Sequence, residues 1–306
     1  MAEKDVTEKL LEDYPDVFAD IVNVLVYDGE NKVDPADLEI SGTISQYKVG
    51  NVSRSQERDI AKYWKKEDVR IGLLGLENQT SPDPDIALRV ISYDGAAYRN
   101  EMNQGNARYP VVTLVLYFGT DSRWGQKSRS LYGRIGEPDK KLGSFFSDYR
   151  ANVFEIAWLD DKTVAKFRSD FRIVADYFVQ MRKNHKYVPS AETMVHVEEV
   201  LNLIAAVSGD KRFQFAQNEN AERKVTKMED WLTRALDKAA AEAAAKATAE
   251  ANVKAAAKAA ETLVNNVDSL MKKRGLSTED ACDALSHTVE EYLSAKKLLA
   301  DAAAVI

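Results

Sequence analysis

Apolar positions recur along the chain with two different periods. From Asp16 to Tyr27 (DVFADIVNVLVY), Val17, Ile21, Val24 and Leu25 fall at helical spacing behind Pro15 and ahead of Gly29, which predicts a first helix carrying Asp20 and Asn23. Val69 to Leu76 (VRIGLLGL) and Val111 to Phe118 (VVTLVLYF) are short apolar runs, the second rich in β-branched and aromatic residues, and both read as buried strands of a sheet covered on both faces. Between them, Asp83 and Pro84 start a helix whose face is traced by Ile86, Ala87, Val90 and Ala97. A further strand is expected at Val153 to Leu159, followed by a long amphipathic helix from about Thr163 to Arg182.

The second half changes character. Residues 239–260 hold 14 alanines in 22 positions, with Glu242–Lys246 and Glu250–Lys254 paired four apart in the favourable order. This predicts a strongly helical, solvated rod over 235–274. Val253, Ala256, Ala260, Leu263, Val267 and Leu270 alternate at three and four, the spacing of a short antiparallel contact or coiled coil, though a single exposed helix fits as well. Gly275 ends the rod, and Ser277 with Asp280 opens another helix. Glycine and proline agree with this division: 12 of 14 glycines lie at or before Gly143, and no proline follows Pro189. The expected organisation is an α/β domain over 1–190 and an all-helical C-terminal region over 191–306.

Composition narrows the chemistry. The histidines are His185, His196 and His287 and the single cysteine is Cys282, so the first 184 residues contain no His-based triad, His-ligated zinc or Cys cluster. One cysteine rules out an internal disulfide and fits a reducing cytoplasm. The formal charge of −7 is carried by residues 1–30, where nine acids face Lys4 and Lys9, and the rest of the chain sums to zero. An acidic beginning is no signal peptide, and no stretch approaches about 18 uncharged apolar residues, so a soluble cytoplasmic protein is expected, with no membrane partner.

With histidine and cysteine excluded, carboxylates carry the candidate chemistry. Glu77 and Gln79 project from the same face at the end of the Val69–Leu76 strand, and Asp59 lies 18 residues before Glu77, beyond a polar turn at Lys65–Asp68. Two carboxylates and a backbone carbonyl suit Mg²⁺, which keeps several waters and bridges to phosphate oxygens. By spacing alone, a solvated strand end is the favoured account of Glu77 and Gln79, and a helix cap or surface ion pair that of Asp59.

The wording around these residues is more specific. YPDVFADIVNVL (14–25), ERDIAKYW (57–64), GLENQTSPDPDIALRVISYDGAAY (75–98), YPVVTLVLYFG (109–119) and KFRSDFRIV (166–174) resemble, in the same order, the bacterial recombination-promoting nuclease / putative transposase family of the PD-(D/E)XK nuclease superfamily. The resemblance spans roughly residues 8 to 185. It implies a restriction-endonuclease-like mixed sheet flanked by helices and a metal-dependent DNA endonuclease, associated with recombination, mobile elements or phage defence. It also implies the site: Asp59 and Glu77 as catalytic acids and metal ligands, the Asn78 carbonyl as a further ligand, and Gln79 at the lysine position of the E-x-K motif. Asp20 stands where superfamily members often place a helical acid. The metal expected is Mg²⁺, with Mn²⁺ or Ca²⁺ as substitutes.

Glutamine in place of lysine removes a charge beside the reacting phosphate, since a neutral amide orients water but supplies no cation. Arg89, on the following helix, or Lys62 is available to replace it; a helix-surface ion pair is the alternative for Arg89. Affinity for DNA, the expected partner, must come from local basic segments. Arg123, Lys127, Arg129 and Arg134 form a run without an acid among residues 122–136 and are the expected DNA contacts. A non-catalytic nucleic-acid-binding or regulatory protein on the same scaffold is the alternative function, and the C-terminal helices are a candidate surface for homo-oligomerisation.

Overall fold

A computed structural model describes residues 11–41, 44–49, 52–57, 59–67, 69–104, 107–214 and 226–303. The first ten residues of the acidic segment, Arg58 and Asp68 lie outside the described residues. The helices introduced here are α1 (Pro15–Leu25), α2 (Ile86–Gln104), α3 (Leu131–Ile135), α4 (Asp161–Val164), α5 (Phe171–Asn184), α6 (Val197–Ser208), α7 (Met228–Arg274), α8 (Thr278–Asp283) and α9 (Val289–Ala303). The strands are β1 (Leu38–Ile40), β2 (Ile44–Val49), β3 (Val52–Glu57), β4 (Ile60–Lys66), β5 (Val69–Gln79), β6 (Val111–Tyr117), β7 (Asn152–Glu155), β8 (Thr193–Met194) and β9 (Thr226–Lys227).

The chain divides into two compact units, Met1–Ala235 and Leu236–Ile306. In the first, a five-stranded mixed sheet has the order β1-β4-β5-β6-β7. β4 is antiparallel to β1 and β5, whereas β5, β6 and β7 run parallel. The hairpin between β4 and β5 turns through Glu67, whose φ of 55° lies in the left-handed region. Strand alternation sends Ile60, Leu74, Leu76, Leu114 and Leu116 into one core with Phe18 and Ile21 of α1 and Phe171 and Phe178 of α5. Each such side chain contributes about 1.5–3 kcal/mol on burial. The opposite face carries Ala61, Tyr63, Leu73, Val111 and Val115 and is covered by α2 through Ile86, Val90 and Ala97. A sheet buried on both sides explains why β5 and β6 read as continuous apolar runs.

Three expectations change. The strand at Val153–Leu159 is a strand only over Asn152–Glu155 and then a 3-10 turn over Ile156–Trp158, closed by the Leu159 N–H donating to the Ile156 carbonyl at 3.3 Å. The helix expected over Thr163–Arg182 is broken between α4 and α5; Val164, Phe167 and Phe171 keep helical spacing across a turn whose Arg168 and Ser169 N–H groups donate to Asp20. The region beyond residue 190 is not all helical: β8 pairs with β9, and α6, Met228 and Leu232 pack into the first unit's core.

In the second unit, Ala260, Leu263, Val267 and Leu270 of α7 pack against Ala281 and Cys282 of α8 and Tyr292 and Ala295 of α9. The seam expected as a helical contact or a single exposed helix is thus filled by helices of the same chain over this stretch, while Val253 stays 70% exposed. Ser277 caps α8, accepting from the Asp280 N–H at 3.1 Å, and Gly275 takes φ +65° after α7. No described helix is long and apolar enough to cross a membrane.

Candidate active site

The antiparallel register pairs Ile60 with Leu76, and one further step sets Asp59, at the entry to β4, opposite Glu77 near the end of β5. Alternation turns Glu77 and Gln79 toward α2 and Asn78 toward α1. The Asp59 carboxylate (Oδ2) accepts the backbone N–H of Asn78 at 2.7 Å. On the other side of β5, the Gln79 carbonyl accepts the Phe118 N–H at 2.9 Å. Since the N–H and C=O of one strand residue point the same way and neighbours alternate, the Asn78 carbonyl also faces the Asp59 side.

Glu77 is 1% exposed, and its Oε1 accepts from Gln79 Nε2 at 3.3 Å and pairs with the Arg89 guanidinium. Arg89 donates as well to Asp83 Oδ2 at 3.0 Å and to the Tyr93 hydroxyl at 3.3 Å. Burial opposes the charge of Arg89, but Glu77, Tyr93 and Asp83 outweigh it and hold its pKa above the ordinary arginine value. Burial raises the Tyr93 phenol, and the negative charges of Glu77 and Asp59 raise it further. Arg89 is tied to Glu77 rather than to the open helix surface.

α2 is fixed so that Arg89 and Tyr93 reach this point. Asp83 Oδ1 accepts the Asp85 N–H at 2.8 Å just ahead of the helix. One residue after Tyr93, buried Asp94 accepts from the Thr113 hydroxyl of β6 at 2.8 Å and from the Tyr149 hydroxyl at 2.6 Å. On the other face, Asn78 Nδ2 donates to Glu12 Oε2 at 2.6 Å, with Glu12 fully buried. Glu12 is the residue that sequence reasoning missed; nothing local distinguishes it from its eight acidic neighbours.

Lys62 lies on the α1 face, 2% exposed, donating to the Asp13 carbonyl at 2.8 Å, and burial lowers its pKa. It stands on the opposite side of the sheet from Glu77. Asp20 is also elsewhere: its Oδ2 accepts the Arg168 and Ser169 N–H groups at 2.8 Å each and the Ser169 hydroxyl at 2.7 Å, fixing the turn before α5. Among the described residues no three His, Cys, Asp or Glu side chains gather as a metal would need, so neither Asp20 nor Glu12 completes a three-acid cluster with Asp59 and Glu77. What remains is two carboxylates and one carbonyl, a donor set that fits a hard cation retaining most of its waters.

The expected DNA contacts separate. Arg129 is 9% exposed, donating to the carbonyls of Val153 and Trp124 at 3.1 and 2.8 Å and pairing with Glu155 at 3.0 Å. It anchors the 123–131 segment to β7, and its expected phosphate contact is corrected on that ground. Lys127 is exposed, Arg134 pairs with Asp85 ahead of α2, and Arg123 is 63% exposed, pairing with Glu155 at 3.2 Å over the Trp158 ring.

No curated protein and no solved structure matches the chain. A family model does match, over residues 72–211, a stretch that holds Glu77, Asn78, Gln79 and Arg89 but not Asp59 or Asp20. Residues 72–211 are thus similar to the family described as "Putative transposase, YhgA-like".

Proposed function

We propose that the chain is a metal-dependent DNA endonuclease of the PD-(D/E)XK type, serving the mobile-element biology that the family description suggests. The observation that carries this reading is the opposition of Asp59 and Glu77 at the adjoining ends of β4 and β5, with Arg89 on Glu77. Asp59, Glu77 and the Asn78 carbonyl would hold Mg²⁺, which when bound acidifies a water and stabilises charge on the scissile phosphate. Gln79 orients a water through its amide and shares the Glu77 oxygen. Arg89 supplies the positive charge that glutamine cannot, and Tyr93, protonated well beyond neutral pH, keeps the guanidinium aimed at the strand end. Arg123, Lys127 and Arg134 provide charge for the DNA backbone.

A second reading, a DNA-binding protein that does not cut, draws on one observation: Arg89 and Gln79 both already engage Glu77 Oε1. Incubation of the full chain with supercoiled plasmid, in Mg²⁺ or in EDTA, separates the two. Nicking in Mg²⁺ alone supports the nuclease; shifted but intact plasmid under Mg²⁺, Mn²⁺ and Ca²⁺ supports the second reading.

A further inference from the structure

The chain leaving Gln79 does not close over the strand ends. Thr80–Pro82 after β5, Gly119–Ser122 after β6, and the ends of α5 and α6 surround a cavity of about 460 Å³, the size range of sites for small organic groups. Its floor is apolar, formed by Phe118, Phe178, Met181 and Val207, and its rim is hydroxyl-rich, with Ser81, Thr120 and Ser122. The rim is built rather than loose. The Tyr117 hydroxyl donates to the Ser122 carbonyl at 2.9 Å, folding the loop back over its own strand. Only glycine fits at 119, where a Cβ would sit 2.1 Å from the Tyr117 hydroxyl oxygen.

Two arginines flank this cavity. Arg123 follows Ser122 of the rim and Arg182 follows Met181 of the floor, and their guanidiniums lie 4.9 and 4.8 Å from the Trp158 ring centre. Trp158 is itself tied to the rim, its Nε1 donating to the Gly119 carbonyl at 3.2 Å. Arg182 spends its Nε on the Ala157 carbonyl, and Arg123 pairs with Glu155 while remaining largely exposed. Within the cavity the charged groups are acids, Asp121 and Asp210, the latter held by Arg212 and Tyr177. A phosphate is repelled there, whereas a nucleobase offers a flat apolar body to the floor and amino groups to the rim.

We infer that this cavity receives one unpaired nucleotide of DNA, with the base on the apolar floor and a flanking phosphate on Arg123 and Arg182. The inference rests on the nuclease reading for its DNA and names the substrate class: DNA with an extruded or unpaired base.

The test uses the full chain in EDTA and three fluorescent hairpins, one fully paired, one with a single-nucleotide bulge, and one with an abasic bulge. The bulged DNA is expected to bind about tenfold more tightly than the paired one, and the abasic bulge to lose that advantage, since the stacked base is its source. Thr120→Trp and Ser81→Trp, two independent rim substitutions, should each abolish the preference while leaving affinity for paired DNA unchanged. Arg123→Ala with Arg182→Ala should weaken all three and flatten the salt dependence by about 0.7–0.9 in log–log slope per lost contact. Equal affinity for paired and bulged DNA, or a preference that survives in the abasic bulge or in both rim variants, overturns the inference. Bulge preference in EDTA without cleavage in Mg²⁺ would uphold it and sink the nuclease reading; cleavage in Mg²⁺ with equal affinities would do the reverse.

Discussion

The Asp59 carboxylate accepts the backbone N–H of Asn78 at 2.7 Å, so the acid at the start of β4 is bound to the strand that carries the second acid. Asparagine can still accept that bond, whereas alanine cannot. Asp59→Asn should therefore unfold in urea within about 1 kcal/mol of wild type, and Asp59→Ala should lose about 1 kcal/mol more. Metal-dependent cleavage should fall at least 100-fold in both, because the carboxylate is gone in each.

Arg89 is expected to matter as a charge. Arg89→Ala leaves Glu77 buried without its guanidinium, which costs about 1–3 kcal/mol by urea unfolding and lowers cleavage more than DNA affinity. If the charge is what counts, Gln79→Lys in the Arg89→Ala background should recover part of the rate, since it returns a cation to the same oxygen. A double variant no faster than Arg89→Ala would assign Arg89 a structural role only.

The sequence legibly marked β5, β6, α1 and α2, because a sheet covered on both faces and two amphipathic helices leave strong apolar periodicities. It marked Glu77 and Gln79 as same-face neighbours for the same reason. What periodicity could not carry was anything set by contacts distant in sequence. Arg129 and Arg134 look alike in the chain, and only the fold buries one against Val153 and exposes the other. Glu12 reaches Asn78 across 66 residues, and Asp20 meets the Arg168–Ser169 turn across nearly 150. The broken helix at Ala165–Asp170 kept the spacing of a continuous one.

Arg129→Ala should accordingly destabilise the fold by about 2–4 kcal/mol, since it strands the carbonyls of Trp124 and Val153 and the buried side of Glu155. Lys127→Ala should leave the urea midpoint unchanged and weaken DNA binding in a salt-dependent way. The opposite pattern would return Arg129 to the DNA surface.

Asp170 gives a pH signature. Burial raises its pKa above the ordinary 3.8, against hydrogen bonds from the His196 and Val195 N–H groups that lower it. A carboxyl whose folded pKa exceeds its unfolded one binds its proton more tightly in the folded state, so its contribution is full below the unfolded pKa and declines as pH rises through the folded value. The stability of wild type relative to Asp170→Asn should thus decline as pH rises from below 3.8 through the folded pKa and then level off. A difference that grows over that window contradicts the assignment.

The most direct test of the account is the rate of Mg²⁺-dependent plasmid nicking by Asp59→Asn and Glu77→Gln, each shown to be folded by its circular dichroism and urea midpoint. If the two carboxylates form one cation site, each variant alone loses at least about 100-fold and the double variant loses little more, as residues acting as a unit do. Wild-type nicking in either single variant would contradict it.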